Sequence, residues 1–425
     1  MADTPPTVKG MNDILVPDIA KWQFVEERAR MVLDAYAYRE VRTPSLEYTP
    51  LFHRSVGEAT DVVEKQMYTF EDRDGRSVSL RPEGTASAVR AYVTGARWHA
   101  EPVTRWYYIG PMFRHERAQR GRLRQFHQIG AEVFGLPGTG IDAEVVGMLV
   151  NMIAEMGIAK NDLKVVVNTL GEPAERLAYR DALKAYLTTH ISQLDEDSVR
   201  RLETNPLRIL DSKSESVKAV CANAPVLMEH LGQASRDGFA RFTELAAALS
   251  VTIEHDPRLV RGLDYYTGVI FEVQANVGNL GAQNTIAGGG RYDGLVEQLG
   301  GPSTPALGFA MGLERILLAI ASPPESYLSP ISLYIAPLGE RAYRWAMPIA
   351  QAMRLEGIRV ELDHRPDTGL KAQLKRADKN NARFALIVGD QELDSGKLAL
   401  KDLTAKQQFE VTPDTLLTRI RQLLD

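Results

Sequence analysis

Residues 106–134 constrain this chain more than any other stretch. Trp106-Tyr-Tyr-Ile-Gly-Pro-Met-Phe-Arg114-His-Glu116 leads through a charged run to Arg124, and then into Gln125-Phe-His-Gln-Ile-Gly-Ala-Glu132-Val-Phe134. The flanks are rich in aromatic and β-branched residues and the middle is charged, which predicts two strands joined by a long loop rather than a helix. Strand side chains alternate between faces. Met112, Arg114 and Glu116 are therefore expected on one face of the incoming strand, and Phe126, Gln128, Gly130 and Glu132 on one face of the return strand. Gly130 has no side chain, so a ligand is expected over it, with Gln128 and Glu132 to either side. Five arginines (114, 117, 120, 122 and 124) stand against one acid, Glu116, between positions 114 and 127. That much charge cannot be buried unpaired. The hairpin is either a solvated basic surface or a platform for an anionic ligand, with a second polyanion against its loop.

Size and composition narrow the setting. A chain of 425 residues has room for two or three domains with ample core. A hydrophobic content of 44% and a charged content of 25% are those of an ordinary globular protein. The net charge of −5 does not announce a nucleic-acid binder, so any such binding must come from local basic patches. The single cysteine, Cys221, excludes a disulfide framework or a cysteine-based zinc site within one chain and suits a reducing, cytoplasmic setting. The first residues lack the charged-then-apolar pattern of a signal segment. No apolar run approaches the roughly 20 residues that span a membrane, so no membrane partner is expected.

Residues 19–36 carry Trp22, Val25, Ala29, Val32, Leu33 and Tyr36 at helical spacing. Val41-Arg-Thr-Pro44-Ser-Leu-Glu47 reads as one strand containing a proline, which suits an edge or an interface. Met67–Phe70 and Ser77–Leu80 flank an Asp-Gly turn and predict a hairpin. It runs into Leu80-Arg-Pro-Glu83-Gly84-Thr85 and a small-residue helix, Ala86–Ala96. Glu83 there is either a helix-start residue satisfying free amides or, with Thr85, a site for an ammonium group. Gly138-Thr-Gly140 mimics a dinucleotide fingerprint, but the next strand ends in Asn168 where a ribose-binding acid should stand. It reads more simply as a turn opening a helix over 142–156. Residues 171–250 turn helical and polar and are taken as an inserted subdomain.

Further on, Arg261-Gly-Leu-Asp-Tyr265-Tyr266-Thr-Gly precedes a strand over 269–277, and Thr285-Ile-Ala-Gly288-Gly-Gly290-Arg-Tyr-Asp-Gly294 reads as strand, glycine turn and helix. Gly308-Phe-Ala-Met-Gly312-Leu-Glu-Arg315 is a small-residue strand turning into a helix. Arg315 in its first turn either helps bind a triphosphate or merely pairs with Glu314. Pro323–Pro330 reads as a linker. Beyond it, an alternation of strands and helices marks a separate domain over 331–425, ending in a helix with Pro413 at its first position. On the predicted helix 368–379, Lys371, Lys375 and Lys379 share a face beside Arg376, either as a solvated face or as an RNA contact.

These motifs carry a resemblance. Phe113-Arg114-His115-Glu116 with Phe126 resembles the second signature of class II aminoacyl-tRNA synthetases, and the helix 19–36 with the Pro44 strand resembles the first, which builds a homodimer interface. Together with the glycine-rich motifs above and Leu80-Arg-Pro-Glu-Gly-Thr, the Arg261–Tyr266 motif is similar to the bacterial histidyl-tRNA synthetases along essentially the whole chain. The resemblance implies an α+β fold: an antiparallel-sheet catalytic core over 1–170 and 251–325, a helical insertion over 171–250, and a C-terminal α/β anticodon-binding domain over 331–425.

It also implies activation of L-histidine by ATP and transfer to the 3′ end of histidine tRNA. Arg114 and Arg261 are then expected at the α-phosphate and the histidine carboxylate. Glu83, Gly84, Thr85 and Gln128 are expected around the ammonium, and Glu132, Tyr265 and Tyr266 around the imidazole. Glu116 and Phe126 are expected near the adenine, Arg122 and Arg315 on the outer phosphates, and Mg2+ on the β- and γ-phosphates with no protein ligand named. Arg117, Arg120, Lys371, Lys375 and Lys379 are candidates for tRNA contact. The alternative is a non-catalytic regulatory or tRNA-sensing relative, which should have lost Arg114, Arg261 or the C-terminal domain. All three are present.

Overall fold

The computed structural model describes residues 5–57, 60–277, 280–281, 284–324, 327 and 331–424. Two bodies are formed, one from residues 1–15 with 22–321 and the other from residues 16–21 with 322–425. The first carries strands β1 (Arg39–Glu40), β2 (Leu46–Tyr48), β3 (Tyr68–Glu71), β4 (Ser77–Leu80), β5 (Thr104–Phe113), β6 (Gln125–Phe134), β7 (Leu163–Thr169), β8 (Ile253–His255), β9 (Thr267–Ala275), β10 (Thr285–Arg291) and β11 (Ala306–Gly312). Eight of these make one sheet in the order β1-β5-β6-β11-β10-β9-β7-β8. It is antiparallel throughout its middle, with a parallel pair at each edge. The long hairpin β5–β6 anchors it, paired without a slip from Thr104↔Phe134 to Phe113↔Gln125.

The expected strand over 41–47 is not one strand. β1 pairs with β5 of the large sheet, β2 pairs with β4 of a separate three-stranded sheet, and Pro44 lies between them. Proline has no N–H to give a ladder, and here the chain leaves one sheet for the other. Arg81 spans the break: its guanidinium donates to the Thr43 carbonyl and hydroxyl, both at 2.9 Å, and to the Pro111 carbonyl at 2.9 Å. The three-stranded sheet β2-β4-β3 turns one face to the helix Thr85–Thr94, through Glu47–Arg90 at 2.6 Å, with a hydroxyl ladder of Thr49, Ser79 and Thr69 beside it. Its other face holds Leu46, Tyr48 and Phe70, all half-exposed.

The helix Ile19–Ala35 buries Val25, Ala29, Val32 and Leu33 as its spacing predicts. The glycines 288–290 do not form a turn but lie inside β10. There Gly289 is pressed against the backbone of Gly308 and Phe309, so a side chain has no room. Residues 173–230 form the expected helices, and their core side chains Tyr179, Leu183, Leu202 and Ile209 join those of Tyr92, Phe134 and Tyr266 in one continuous cluster. The helix that follows, Gln233–Ala248, packs on the core helix Thr139–Glu155.

Of the predicted linker, Pro323, Pro324 and Tyr327 are described, and the other positions lie outside the described residues. The second body holds β12 (Ile331–Pro337), β13 (Val360–Leu362), β14 (Ala382–Val388), β15 (Leu398–Asp402) and β16 (Gln407–Val411) in the order β13-β12-β14-β15-β16. Helices Glu340–Leu355, Leu370–Lys379 and Pro413–Leu424 accompany them. No helix among the described residues is long and apolar enough to cross a membrane.

Candidate active site

The large sheet is hollowed at its centre by its own sequence. Across it, one row runs Tyr108–Gly130–Ala310–Gly288–Glu272, from β5 through β6, β11 and β10 to β9. Residues paired directly across strands share a face, so Gly130, Ala310 and Gly288 leave room there, which the Tyr108 ring takes over Gly130 and which stays open beside Ala310 and Gly288. A cavity of about 200 Å³ opens there. Glu83, Thr85, Gln128, Tyr265, Tyr266, Arg114 and Arg261 line it, together with Glu116, Arg122, Phe126 and Arg315. Gly84 and Glu132 are not in the wall.

Each arginine is held in its own way. Arg114 follows the last residue of β5, where its Nε donates to the Pro82 carbonyl at 2.9 Å and its guanidinium lies 5.2 Å over the Phe126 ring. Burial draws its pKa down, and Glu116 and Glu83 act the other way. Arg261 is ion-paired with Glu272, which also accepts from the Thr285 hydroxyl at 3.1 Å. Its guanidinium lies over Gly288. Arg122 reaches Glu116 at 3.3 Å. Arg315 does not take Glu314 as its partner: it donates to the Thr285 carbonyl at 2.6 Å and to the Gly121 carbonyl at 3.3 Å. Glu314 instead accepts from the backbone N–H of His127 and lies 3.0 Å from its Nδ1.

Glu83 serves the helix as well as the cavity. Its carboxylate accepts from the free amides of Thr85 at 2.7 Å and Ala86 at 2.8 Å, at the start of Thr85–Thr94. Burial nonetheless pushes its pKa up. Glu132 is fully buried. One carboxyl oxygen accepts from the Thr85 hydroxyl at 2.8 Å and from Tyr108 at 3.0 Å, and the other accepts from Tyr292. Burial pushes its pKa up to about 8, against the pull of these hydroxyls.

Two face assignments need correction. The space over Gly130 is not open to a ligand, because the Tyr108 ring fills it. A methyl group at 130 would fall 2.2 Å from Tyr108 Cζ, and one at Gly84 would fall 2.2 Å from Cε2 of the same ring. Glu116 does not continue the strand face of Met112, because β5 ends at Phe113. Its amide closes on the Arg114 carbonyl at 2.7 Å, and the chain turns toward Arg122. Met112 itself is fully buried. Tyr108, Tyr292, Glu272 and Gly288 are the residues that sequence reasoning missed. Tyr108 had a signal, since carrying the strand alternation back from Met112 puts it on the same face. Tyr292 and Gly288 lie in a motif already noted, but only the fold brings Tyr292 to Glu132 and Gly288 under Arg261.

Two buried polar atoms in the cavity wall have no protein partner among the described residues: Gln128 Oε1, an acceptor, and Arg261 Nε, a donor. No cluster of three His, Cys, Asp or Glu that could hold a metal occurs among the described residues. Arg117 and Arg120 are exposed on the hairpin loop, and Lys371, Lys375 and Lys379 are exposed on Leu370–Lys379. Arg376 is not free beside those lysines, since it is tied to buried Asp363.

Residues 10–316 match the family described as Histidyl-tRNA synthetase, and residues 332–423 match the one described as Anticodon binding domain. The chain is 49% identical over 424 residues to a histidine–tRNA ligase of Halorhodospira halophila, covering 98% of each. It is similar to the crystal structure of apo S. aureus histidyl-tRNA synthetase at a TM-score of 0.82 and 34% identity, covering 98% of this chain and 100% of that one. A B. halodurans protein titled ATP phosphoribosyltransferase regulatory subunit/histidyl-tRNA synthetase shares the fold at 21% identity, with a TM-score of 0.64 and coverage of 92% and 98%.

Proposed function

The chain belongs to the histidyl-tRNA synthetase family and is a histidine–tRNA ligase, and on that premise we propose which side chains carry its two half-reactions. The observation that carries the reading is the pair of partnerless buried atoms, Gln128 Oε1 and Arg261 Nε. A buried polar group left unpaired costs about 1–3 kcal/mol. An acceptor and a donor in one cavity suit an amino acid, whose ammonium gives hydrogen bonds and whose carboxylate takes them.

L-Histidine lies with its ammonium toward Gln128, Glu83 and Thr85, and its carboxylate toward Arg261 and Arg114. Its ring lies against Tyr265 and Tyr266, whose own rings are in contact with each other, and Glu132 stands behind the wall, joined to it through the Thr85 hydroxyl. Glu132, whose pKa burial raises to about 8, thus acts on the ring through the wall rather than by a direct bond. The nucleotide enters as MgATP, with the ion carried on its β- and γ-phosphates. Its adenine packs near Phe126 and Glu116, and Arg122 and Arg315 face the outer phosphates.

In the first half-reaction a carboxylate oxygen of histidine forms a bond to the α-phosphorus, and the bond to the β-phosphate oxygen breaks with its electron pair leaving on pyrophosphate. A carboxylate is ionised at pH 7, so no base is needed. The chain must instead align the attack and hold the charge that grows on the α-phosphate. Arg114 and Arg261 do this with donors that keep their protons. In the second half-reaction a ribose hydroxyl oxygen at the tRNA 3′ end forms an ester bond to the carbonyl carbon, the bond from that carbon to the phosphate oxygen breaks with its electron pair leaving on AMP, and the hydroxyl proton is released.

Gln128→Leu tests the assignment. It should raise KM for histidine in ATP–pyrophosphate exchange about tenfold or more, since about 1.4 kcal/mol corresponds to tenfold, and leave KM for ATP unchanged. A raised KM for ATP alone would remove Gln128 from the amino-acid pocket.

The enzyme acts as a homodimer. The half-exposed Leu46, Tyr48 and Phe70 share one face of the small sheet, and a second copy is the partner proposed to cover it. Light scattering showing a stable monomer at micromolar concentration would refute this. Arg117 and Arg120 on the hairpin loop, and Lys371, Lys375 and Lys379 on the second body, are proposed to meet tRNA phosphates. The buried free Cys221 suits a reducing cytoplasm.

A further inference from the structure

The loop 258–266 carries Arg261, Tyr265 and Tyr266, yet it is poorly held by its own backbone. Among the described residues its backbone-to-backbone bonds to other segments are sparse, such as the Asp264 amide on the Val56 carbonyl at 3.2 Å. Behind it lies a second cavity of about 350 Å³, lined by Arg176, Arg208, Asn205 and Asp264 among others. The rings of Tyr265 and Tyr266 are packed in the core cluster, and at the loop's backbone, side-chain hydrogen bonds supplement that packing.

Asn168 of β7 gives one such bond, to the Leu259 carbonyl at 3.0 Å, and the others come from the helical insertion. Buried Arg208 donates through Nη1 to the carbonyl of Arg261 at 2.9 Å. Arg176 donates to the carbonyl of Tyr266. Asn205 donates to Asp264 at 2.8 Å. In the opposite direction, Arg258 donates to the carbonyls of Ala224 at 2.7 Å and Pro225 at 3.1 Å within the insertion. The two arginine clamps thus fall on the backbone of the residues whose side chains face the histidine carboxylate and ring. Arg208 is steadied in turn by Asp61, 3.8 Å away, which also takes Arg201 at 3.1 Å.

We infer that Arg176 and Arg208 are positioning residues for adenylation, through which the helical insertion sets the placement of Arg261 and Tyr266. The inference rests on the reading of Arg261 and Tyr266 as substrate contacts. Neither clamp lines the first cavity. A guanidinium suits the task because its planar fork can serve a carbonyl and a carboxylate together.

The test uses the full-length enzyme. Arg208→Met and Arg176→Met each keep the hydrophobic stem and remove the donors, and Arg208→Lys returns one charge. Arg176 is the more exposed of the two, so its variant serves if Arg208→Met fails to fold. Misplacement of a reacting group by about 1 Å can cost on the order of 10²-fold. In pyrophosphate exchange, kcat should fall about 10- to 100-fold and KM for histidine should rise, with KM for ATP nearly unchanged and partial recovery in Arg208→Lys. A loss of active fraction with both KM values at wild type would mean the arginines only support the fold. Wild-type kinetics in both methionine variants would overturn the inference. Arg261→Ala, measured alongside, separates the two ideas: a dead Arg261→Ala with unaffected clamp variants sinks the clamp alone, whereas an active Arg261→Ala sinks the assignment beneath it.

Discussion

The guanidinium of Arg261 occupies the place where a side chain at residue 288 would stand. A methyl group there would fall 2.5 Å from Arg261 Nη2 and 2.7 Å from Cζ. Gly288→Ala should therefore fold, because β10 is ordinary strand at that point, yet push Arg261 off its seat. Loss of a well-placed electrostatic donor costs about 10²–10³ in kcat, so adenylation should fall by about that much. Pyrophosphate exchange with an unchanged far-ultraviolet spectrum checks this. A wild-type rate would show that Arg261 has room to spare.

Arg261→Ala should lower kcat for adenylation by about 10² or more, and by more than it raises KM, if its charge is felt mainly in the transition state. Arg261→Lys should recover only part, because an ammonium lacks the paired donors and would leave Glu272 with a poorer partner. Transfer from preformed histidyl-adenylate should suffer much less, since phosphorus is no longer under attack. Single-turnover measurements separate the steps, and equal losses in both would make Arg261 structural.

Glu132 has a folded-state pKa of about 8 against an ordinary 4.5. A raised acid stabilises the fold fully below about pH 4.5, and that contribution is lost as pH rises through about 8. At about 1.4 kcal/mol per unit, the stability of wild type relative to Glu132→Gln should fall by a few kcal/mol between pH 5 and pH 8.5. KM for histidine should likewise change near pH 8 in wild type and stay flat there in the variant. Parallel profiles for the two proteins would mean that Glu132 is ionised throughout.

Arg291 and Asp142 form a buried pair at 2.6 Å, with side-chain exposures of 8% and 2%. Burial keeps Asp142 at about pKa 6 even beside the arginine. Arg291→Leu strands that carboxyl group and should cost about 3–5 kcal/mol at neutral pH. Without the cation the pKa of Asp142 rises further, so the deficit should shrink as pH falls toward 5 and Asp142 takes up a proton. Urea midpoints at pH 5 and pH 7.5 test this, and a pH-independent deficit would point to lost packing instead.

The elements legible in the sequence were those whose periodicity is local. The alternation through β5 and β6 and the helical spacing of Val25, Ala29, Val32 and Leu33 needed no distant partner. The split at Pro44 was not legible, because a strand that changes sheets keeps its alternation. The run Gly288–Gly290 was misread as a turn, since a glycine needed for close approach looks the same as one needed for a bend. The cavity-wall residues of the hairpin and of the Arg261 motif were visible as motifs. Glu272 and Tyr292 were not singled out, because their roles depend on meeting Arg261 and Glu132, which the tertiary fold supplies and spacing along the chain does not.

The Tyr108 ring fills room left by two glycines, Gly84 and Gly130, and this restricts the order in which these positions can change. An alanine at either glycine is harmful while the tyrosine stands, and a smaller residue at 108 leaves a void and removes a hydroxyl from Glu132. Each single step is downhill, although the combined replacement need not be. Exchange among the three positions should therefore begin at 108, and the penalty of a methyl group at 84 or 130 should shrink or change sign once the ring has gone.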